Sequence, residues 1–511
     1  MSWNGWAISI ATFLPLVGAI AIALVPGSRD RLARGLGIAV TGAAMVVAIA
    51  IAVGFDYGNA SALQFTVDAP WIPAIAARYH IGIDGISMPL FVLTFVLSFL
   101  CAIYTWHYVP KPGNAKAFVA LMLLLETGMA GTFIAFDLIL FFVFWELVLV
   151  PMYFLIGVWG SANREYASIK FFLYTLFGSV FMLLGFLAMY FRSDVAGAHT
   201  FDILQLQAFA AQGGFSTGFQ LVAFGAIALG FAVKVPMWPF HTWLPDAHTE
   251  APTIGSVLLA GIMLKMGTYG FVRIALPLLP EGAKAYAPWI GLLSAIAIVY
   301  AALACLAQKD LKRLIAFSSV GHMGFVMLGI STLTAIGINA AIFGMVAHGV
   351  ITGMLFFCVG SIYDRYHTRE IAEIGGGMMQ KMPFLAGTFA FVSIASLGLP
   401  GLAGFWGEVM ALLSAFEPAG FLGTGLYRAF MVAGGVGTIL TAGYFLWMLQ
   451  RVNMGTVPEK WAGSDFADVL PVEWLAWAPL LVGTLVLGLY PRLVFGMTDG
   501  PVGAIARLLG A

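Results

Sequence analysis

The chain has 511 residues, of which 61% are hydrophobic and only 9% charged, with 24 Lys and Arg balanced by 24 Asp and Glu; its mean hydropathy is +0.96. That composition excludes a soluble globular protein of this length. No nucleic-acid partner is expected.

Apolar stretches recur from end to end, each long enough to cross roughly 30 Å of hydrocarbon as a helix. Lipid offers the backbone no hydrogen-bond partners, so the expected fold class is all-α, a polytopic membrane protein. In chain order, fourteen spans are predicted, beginning near Trp3, Leu32, Asp84, Ala117, Asp137, Tyr166, Gly218, Pro252, Pro288, Leu311, Thr334, Pro383, Thr424 and Pro471. The first has no basic residue before it and its first charge, Arg29, follows the apolar run, so it is expected to remain as a helix and not to be cleaved.

Lys and Arg fall unevenly between alternate loops. One set (Arg29, Arg31, Arg34, Lys111, Lys116, Arg164, Lys309, Lys312, Arg313, Arg365, Arg369, Lys381, Arg451, Lys460) has fourteen members and the other (Arg78, Arg192, Arg273, Lys284, Arg428, Arg492, Arg507) has seven. The richer set is assigned to the cytoplasm, which puts both termini on the opposite side.

Six ionisable residues remain inside the spans. Glu146 lies in FFVFWELVLVPMYF, Lys234 in FAVKVPMWPF, Lys265 in LLAGIMLKMGTYG, His322 in SSVGHMGF, His348 in GMVAHGVI and Glu408 in GFWGEVMALL. The two histidines and Lys265 fall about 11 to 14 residues into their spans, roughly 16 to 21 Å deep. A charge at that depth costs at least about 2.5 kcal/mol to insert, so it persists where it is paired, hydrated or used. Any one of the six could be a structural ion pair or a packed histidine. Together, opposite charges plus two groups that titrate near neutrality form the inventory of a proton relay.

Two spans are interrupted. The seventh carries Pro236 and Pro239 after Lys234, and the twelfth carries LGLPGLAG before Glu408. Each break frees backbone groups that must find new partners, and paired breaks point to a transport site. The breaks are five spans apart, so residues 117–278 and 288–452 read as two five-helix repeats, each with its fourth helix broken. An odd number of helices makes the second repeat inverted. The polar segment His241 to Pro252 between the seventh and eighth spans is expected on the cytoplasmic side. It reads either as a proton inlet using His241, His248, Asp246 and Glu250 or as a helix cap and solvated turn. Its spacing matches no common zinc pattern.

Cys101, Cys305 and Cys358 lie singly within spans, without a CxxC pair, and the chain has no GxGxxG unit or phosphate-binding loop. No metal site and no bound cofactor is expected, so redox or nucleotide energy must come from another subunit.

The segments Phe141 to Gly160, FFVFWELVLVPMYFLIGVWG, and Lys234 to Gly270, KVPMWPFHTWLPDAHTEAPTIGSVLLAGIMLKMGTYG, resemble the antiporter-like membrane subunits of proton-pumping NADH:quinone oxidoreductase, respiratory complex I. The likeness is to the subunit M line, called chain 4 in mitochondria, and covers nearly the whole chain. It implies a proton-translocating subunit of the membrane arm, with NADH, FMN, iron-sulfur clusters and quinone in other subunits. The implied partners are adjacent antiporter-like subunits, the lipid bilayer and protons. The implied location is a bacterial cytoplasmic membrane or a mitochondrial inner membrane. It also implies roles: Glu146 pairs with Lys234, Lys265 is the central carrier, His322 and His348 line the connecting path, and Glu408 is the exit-side group. An opposite charge nearby keeps both members of such a pair ionised, so moving Lys234 away from Glu146 would release a proton toward Lys265.

Two alternatives share the helix plan: a subunit of a multisubunit sodium/proton antiporter, and a non-transporting scaffold whose buried charges fix helix register. The deep lysines favour protons over sodium, which wants clustered oxygen ligands. A quinone-binding redox enzyme is a further reading, resting only on the 14% aromatic content and the membrane histidines.

Overall fold

The structure, a computed structural model, describes residues 3–195 and 197–510. Thirteen helices are long and apolar enough to cross a membrane. The shorter apolar helices Pro383–Ser396 and Ala403–Phe416 follow one another as the two halves of one further span. That makes fourteen, in the predicted order. The spans are Trp3–Leu24, Asp30–Gly54, Ser87–Thr105, Ala115–Ile134, Leu138–Trp159, Arg164–Arg192, Thr217–Lys234 continued by Trp243–Glu250, Thr253–Leu278, Pro280–Leu306, Leu311–Ser331, Ala335–Tyr366, the broken twelfth, Thr424–Val452 and Pro471–Leu489.

Local chemistry sets several span starts. Asp137 accepts hydrogen bonds from the amides of Ile139 and Leu140, and Asp310 from those of Lys312 and Arg313. Thr334 accepts from Gly337. Each cap satisfies amides that the first turn leaves without a partner, a strong requirement where water is scarce. The eighth and eleventh spans form the centre, with 94% of the most apolar stretch of each buried, whereas the second, sixth and thirteenth leave most of theirs at least partly exposed. Trp106, Tyr108 and Trp289 are exposed near helix ends, as an interfacial belt requires.

Besides the short helix Ile203–Ala211 and a few single turns, two elements lie outside the predicted set. A hairpin of β1 (Gln64–Ile72) and β2 (Ala77–Ile83) precedes the third span. It is anchored by His80 Nδ1 at 2.5 Å from Asp202 Oδ2 and by the Phe136 amide donating to the His80 carbonyl. A final helix, Arg492–Leu509, follows the fourteenth span and buries one side only. The hydropathy pattern identifies spans, and these two amphipathic elements are too polar on one face to register.

Among the charges counted with the loops, two lie inside spans and are largely buried. Lys312 lies one residue inside the tenth span, 5% exposed. Arg273 lies in the eighth span and donates to both carboxylate oxygens of Asp84, at 2.5 and 2.6 Å. Removing one charge from each set leaves thirteen against six, the same bias. Reporter fusions test it: a fusion after Asp30 should give cytoplasmic signal, and one at the C-terminus should not. A cytoplasmic C-terminus would reverse the orientation.

Candidate functional site

Lys265 sits in the eighth span immediately after a widened π turn, Leu259–Met263. Such turns insert an extra residue and disturb the regular hydrogen-bond ladder, often at functional positions. Here the Ala260 carbonyl, within that turn, accepts a hydrogen bond from Lys265 Nζ. The same Nζ lies 2.6 Å from His348 Nδ1 on the eleventh span. No acidic group contacts Lys265, as the sequence indicates, but the residue is not isolated: its partner is an imidazole. Two cations cannot share a contact of that length, so at least one of the two, amine or imidazole, is neutral there.

From His348 the groups continue toward the twelfth span across one gap, between two rings. The rings of His348 and His322 are 5.8 Å apart, centroid to centroid, and edge-on. His322 Nδ1 is 2.7 Å from Glu408 Oε1, and its Nε2 is 3.0 Å from the Ser396 hydroxyl. His322, His348, Thr352, Ser396 and Glu408 all line one cavity of about 30 Å³, room for a water or two. His348 Nε2, the Thr352 hydroxyl and Glu408 Oε2 have no protein partner, so water is their natural bridge.

The broken twelfth span makes this convergence. Ser396 ends its first half and Glu408 lies in the second. Between them Gly398 and Gly401 take φ of +80° and +92°, which an L side chain rarely adopts. A Cβ on Gly407 would fall 2.8 Å from the Cα of Gly344 on the eleventh span. Glycine at both positions therefore lets the two helices approach closely enough to hold Glu408 against His322.

The other two expected residues are arranged differently. Lys234 ends the first half of the seventh span, 2% exposed, with its ammonium 5.2 Å from the centroid of the Trp145 ring. Glu146 is half-buried, and no ion pair joins it to Lys234 among the described residues. The expected salt bridge is thus open, and the Trp145 face takes the place of a contact for the Lys234 ammonium. Trp145 is itself fixed by its indole N–H donating to Ser179 Oγ at 2.9 Å. A desolvated ammonium on a tryptophan face gains about 2 kcal/mol, which substitutes in part for the missing carboxylate.

The segment from His241 to Pro252 is no solvated turn. Trp243–Glu250 is a helix, the second half of the seventh span, and His248 and Glu250 are buried in it. Asp246 pairs with Lys170 at 2.7 Å and Arg313 at 3.4 Å, and Glu250 Oε2 accepts from the Asn163 amide. These acids hold helices together. His248 is stacked on Phe356, rings 4.6 Å apart and nearly parallel.

Three buried polar residues escaped the sequence reading. Glu126 lies in the fourth span, 0% exposed, and neither carboxylate oxygen has a partner. Its signal, one acid within LMLLLETGMAG, was the same as that of Glu146. Lys312 was hidden by its position next to a charged loop. Thr352 carries no hydropathy signal at all.

The description "NADH:quinone oxidoreductase/Mrp antiporter, TM" belongs to a family model that matches residues 135–433. NADH-quinone oxidoreductase subunit M of Rhodobacter capsulatus is 43% identical over 495 residues, covering 95% of this chain and 94% of that protein. NADH-ubiquinone oxidoreductase chain 4 of Chondrus crispus is 38% identical, covering 94% of each. Among solved structures, a chain of respiratory complex I from Thermus thermophilus with bound NADH superposes with a TM-score of 0.87 at 29% identity, over 99% of this chain. A chain of the Mrp complex from Dietzia sp. DQ12-45-1b shares the fold, with a TM-score of 0.84 at 21% identity.

Proposed function

Because the chain belongs to the NADH:quinone oxidoreductase/Mrp antiporter transmembrane family, on its subunit M and chain 4 line, we propose that protons cross it through Lys265, His348, His322 and Glu408. The chain is a proton-translocating, antiporter-like subunit of NADH:quinone oxidoreductase, a multi-pass membrane protein that works with other subunits of that complex. We further propose that Glu146 and Lys234 form the switch that drives the path, that adjacent antiporter-like subunits are its neighbours, and that NADH, flavin, iron-sulfur and quinone chemistry is confined to other subunits. Its proposed location is a bacterial cytoplasmic membrane. The two inverted repeats, about 117–278 and 288–452, would each supply one half of the route.

One observation carries this reading: a line of proton-exchanging groups through the buried centre, from Lys265 Nζ to His348 at 2.6 Å, across a 5.8 Å separation between rings that water can bridge, to Glu408 at 2.7 Å from His322. Imidazole takes a proton on one nitrogen and releases one from the other, so each histidine passes charge without moving its ring far. Sodium would instead need several converging oxygens, and Glu408 supplies the only carboxylate contacting this line among the described residues. A half-buried Glu146 at mid-span supports a neighbouring subunit on that face, since a carboxylate is poorly tolerated against lipid.

Glu408→Gln tests the path. The amide keeps the hydrogen bond to His322 but can neither take nor release a proton. Proton pumping by the assembled complex should fall at least about tenfold, the scale of losing one proton-transfer group, with NADH oxidation by an artificial acceptor unchanged. Full pumping would remove Glu408 from the path.

A further inference from the structure

The fourth span holds an acid that the path does not use. Glu126 is 0% exposed, and neither of its carboxyl oxygens has a hydrogen-bond partner among the described residues. The hydroxyl of Thr127, next in sequence, donates to the Leu123 carbonyl instead. An ionised carboxylate in such surroundings costs far more than the neutral acid, so Glu126 rests protonated. It caps no amide and holds no second helix by a polar contact, so an apolar side chain would pack there at lower cost. An acid kept at that cost inside a membrane points to function.

Its position ties it to Lys265. The Tyr269 hydroxyl of the eighth span donates to the Phe133 carbonyl of the fourth at 2.8 Å, and the Phe133 and Tyr269 rings meet edge-on. The two spans run in the same direction. Seven residues back from that contact in each, Glu126 therefore falls level with Ile262, inside the π turn Leu259–Met263. That turn supplies the Ala260 carbonyl to which Lys265 Nζ donates. The third span lies against both. Leu97 packs on Gly261 of the turn, where a Cβ would fall 2.5 Å from Leu97 Cδ1. Cys101, one turn along the same face, is close enough to Glu126 for the charge of one to act on the other. Ser98, also one turn from Cys101, has a buried hydroxyl that finds no partner, so the acid's side of the π turn carries a second free proton-exchanging group.

We propose that Glu126 is the counter-charge of Lys265 across the π turn: it gives up its proton as Lys265 becomes charged and recovers one as Lys265 is discharged. The inference rests on Lys265 being a proton carrier. In the charging step the Glu126 O–H bond breaks and an N–H bond forms on the neutral Lys265 amine, the proton crossing by way of water. Acid plus amine becomes carboxylate plus ammonium, and the net charge of the site is unchanged. Without this exchange, a charged Lys265 would stand in the bundle with no acidic group in contact. Opposite charges attract more strongly in a medium of low dielectric than in water, so the carboxylate holds the ammonium until another proton arrives. A hydronium that restores the Glu126 acid leaves one water and removes the attraction, and the Lys265 proton then passes to neutral His348.

The test uses the intact complex in proteoliposomes, reading protons pumped per NADH oxidised together with infrared difference spectra between the resting and NADH-reduced states. Glu126→Gln keeps the shape and removes the exchangeable charge, Glu126→Leu removes the polar group, and Glu126→Asp keeps the acid. Pumping should fall severalfold in the Gln and Leu variants, with assembly intact, and be largely retained in Glu126→Asp. The spectra of Glu126→Gln should also lose a carbonyl-stretch band of a protonated carboxylic acid. An acid serving only to fill space would tolerate glutamine and leave the spectra unchanged. If the Gln and Leu variants both pump normally while Lys265→Arg does not, the counter-charge is overturned and the carrier role survives. A fall in pumping with the band unchanged also overturns it, because the loss then comes from packing. If Lys265→Arg pumps normally as well, the underlying reading fails. Should Glu126→Leu not assemble, the Gln and Asp variants decide alone.

Discussion

Lys265→Arg is expected to abolish proton pumping while leaving the complex assembled. Arginine retains the positive charge and a long stem, but its guanidinium stays protonated at any physiological pH and cannot pass a proton on. The contact at stake is the 2.6 Å approach of Lys265 Nζ to His348 Nδ1. That contact requires one neutral partner, and with arginine present only the imidazole can be neutral. The pair then keeps its proton permanently. Lys265→Ala removes both the charge and the exchangeable proton, and should pump no better. A lysine kept only to satisfy the Ala260 carbonyl would behave otherwise, since arginine can donate there as well. The measurement is acidification of vesicles holding the assembled complex, normalised to its amount. The loss should exceed about a hundredfold, or roughly 2.7 kcal/mol on the limiting barrier. Near-normal pumping by Lys265→Arg would take the carrier role from this residue.

Glu146→Gln should be nearly as severe, for a different reason. Glu146 makes no ion pair with Lys234 among the described residues, so its influence is that of a charge acting at a distance. Glutamine is isosteric and removes that charge alone. With it goes the field that draws the Lys234 ammonium away from the Trp145 face, and the switch should remain in one position. Glu146→Asp shortens the side chain but keeps the charge, and should retain a substantial part of pumping. Assembly should survive in both, because the carboxylate is only half-buried and makes no ion pair among the described residues. Equal activity of the Gln and Asp variants would show that side-chain shape, not charge, is what matters. Normal pumping by Glu146→Gln would remove Glu146 from the switch.

The sequence by itself determined the class, the fourteen spans and the two breaks. These follow from local properties: twenty apolar residues in a row have one stable arrangement in lipid, and proline or paired glycines interrupt a helix wherever it packs. It also singled out the six ionisable residues, because a charge in such a run is costly whatever surrounds it. What it could not decide is which of them touch. Glu146 and Lys234 were expected as a pair and Lys265 as a lone charge, yet Lys265 has the close partner and the other two do not. Partnership depends on side-chain direction and on third residues, such as Trp145 or the glycines that let the twelfth span reach the eleventh. Lys312 and Arg273, one residue from a loop or near a helix end in sequence, were placed inside or outside the bundle only by tertiary packing. Glu126 escaped for no physical reason, since its apolar surroundings carried the same signal as the rest. The hairpin of β1 and β2 and the final amphipathic helix rest on surfaces that fourteen spans must first assemble, so no local pattern announces them. Hydropathy is a property of a segment, whereas a proton path is a set of distances between segments, and only the folded bundle fixes those.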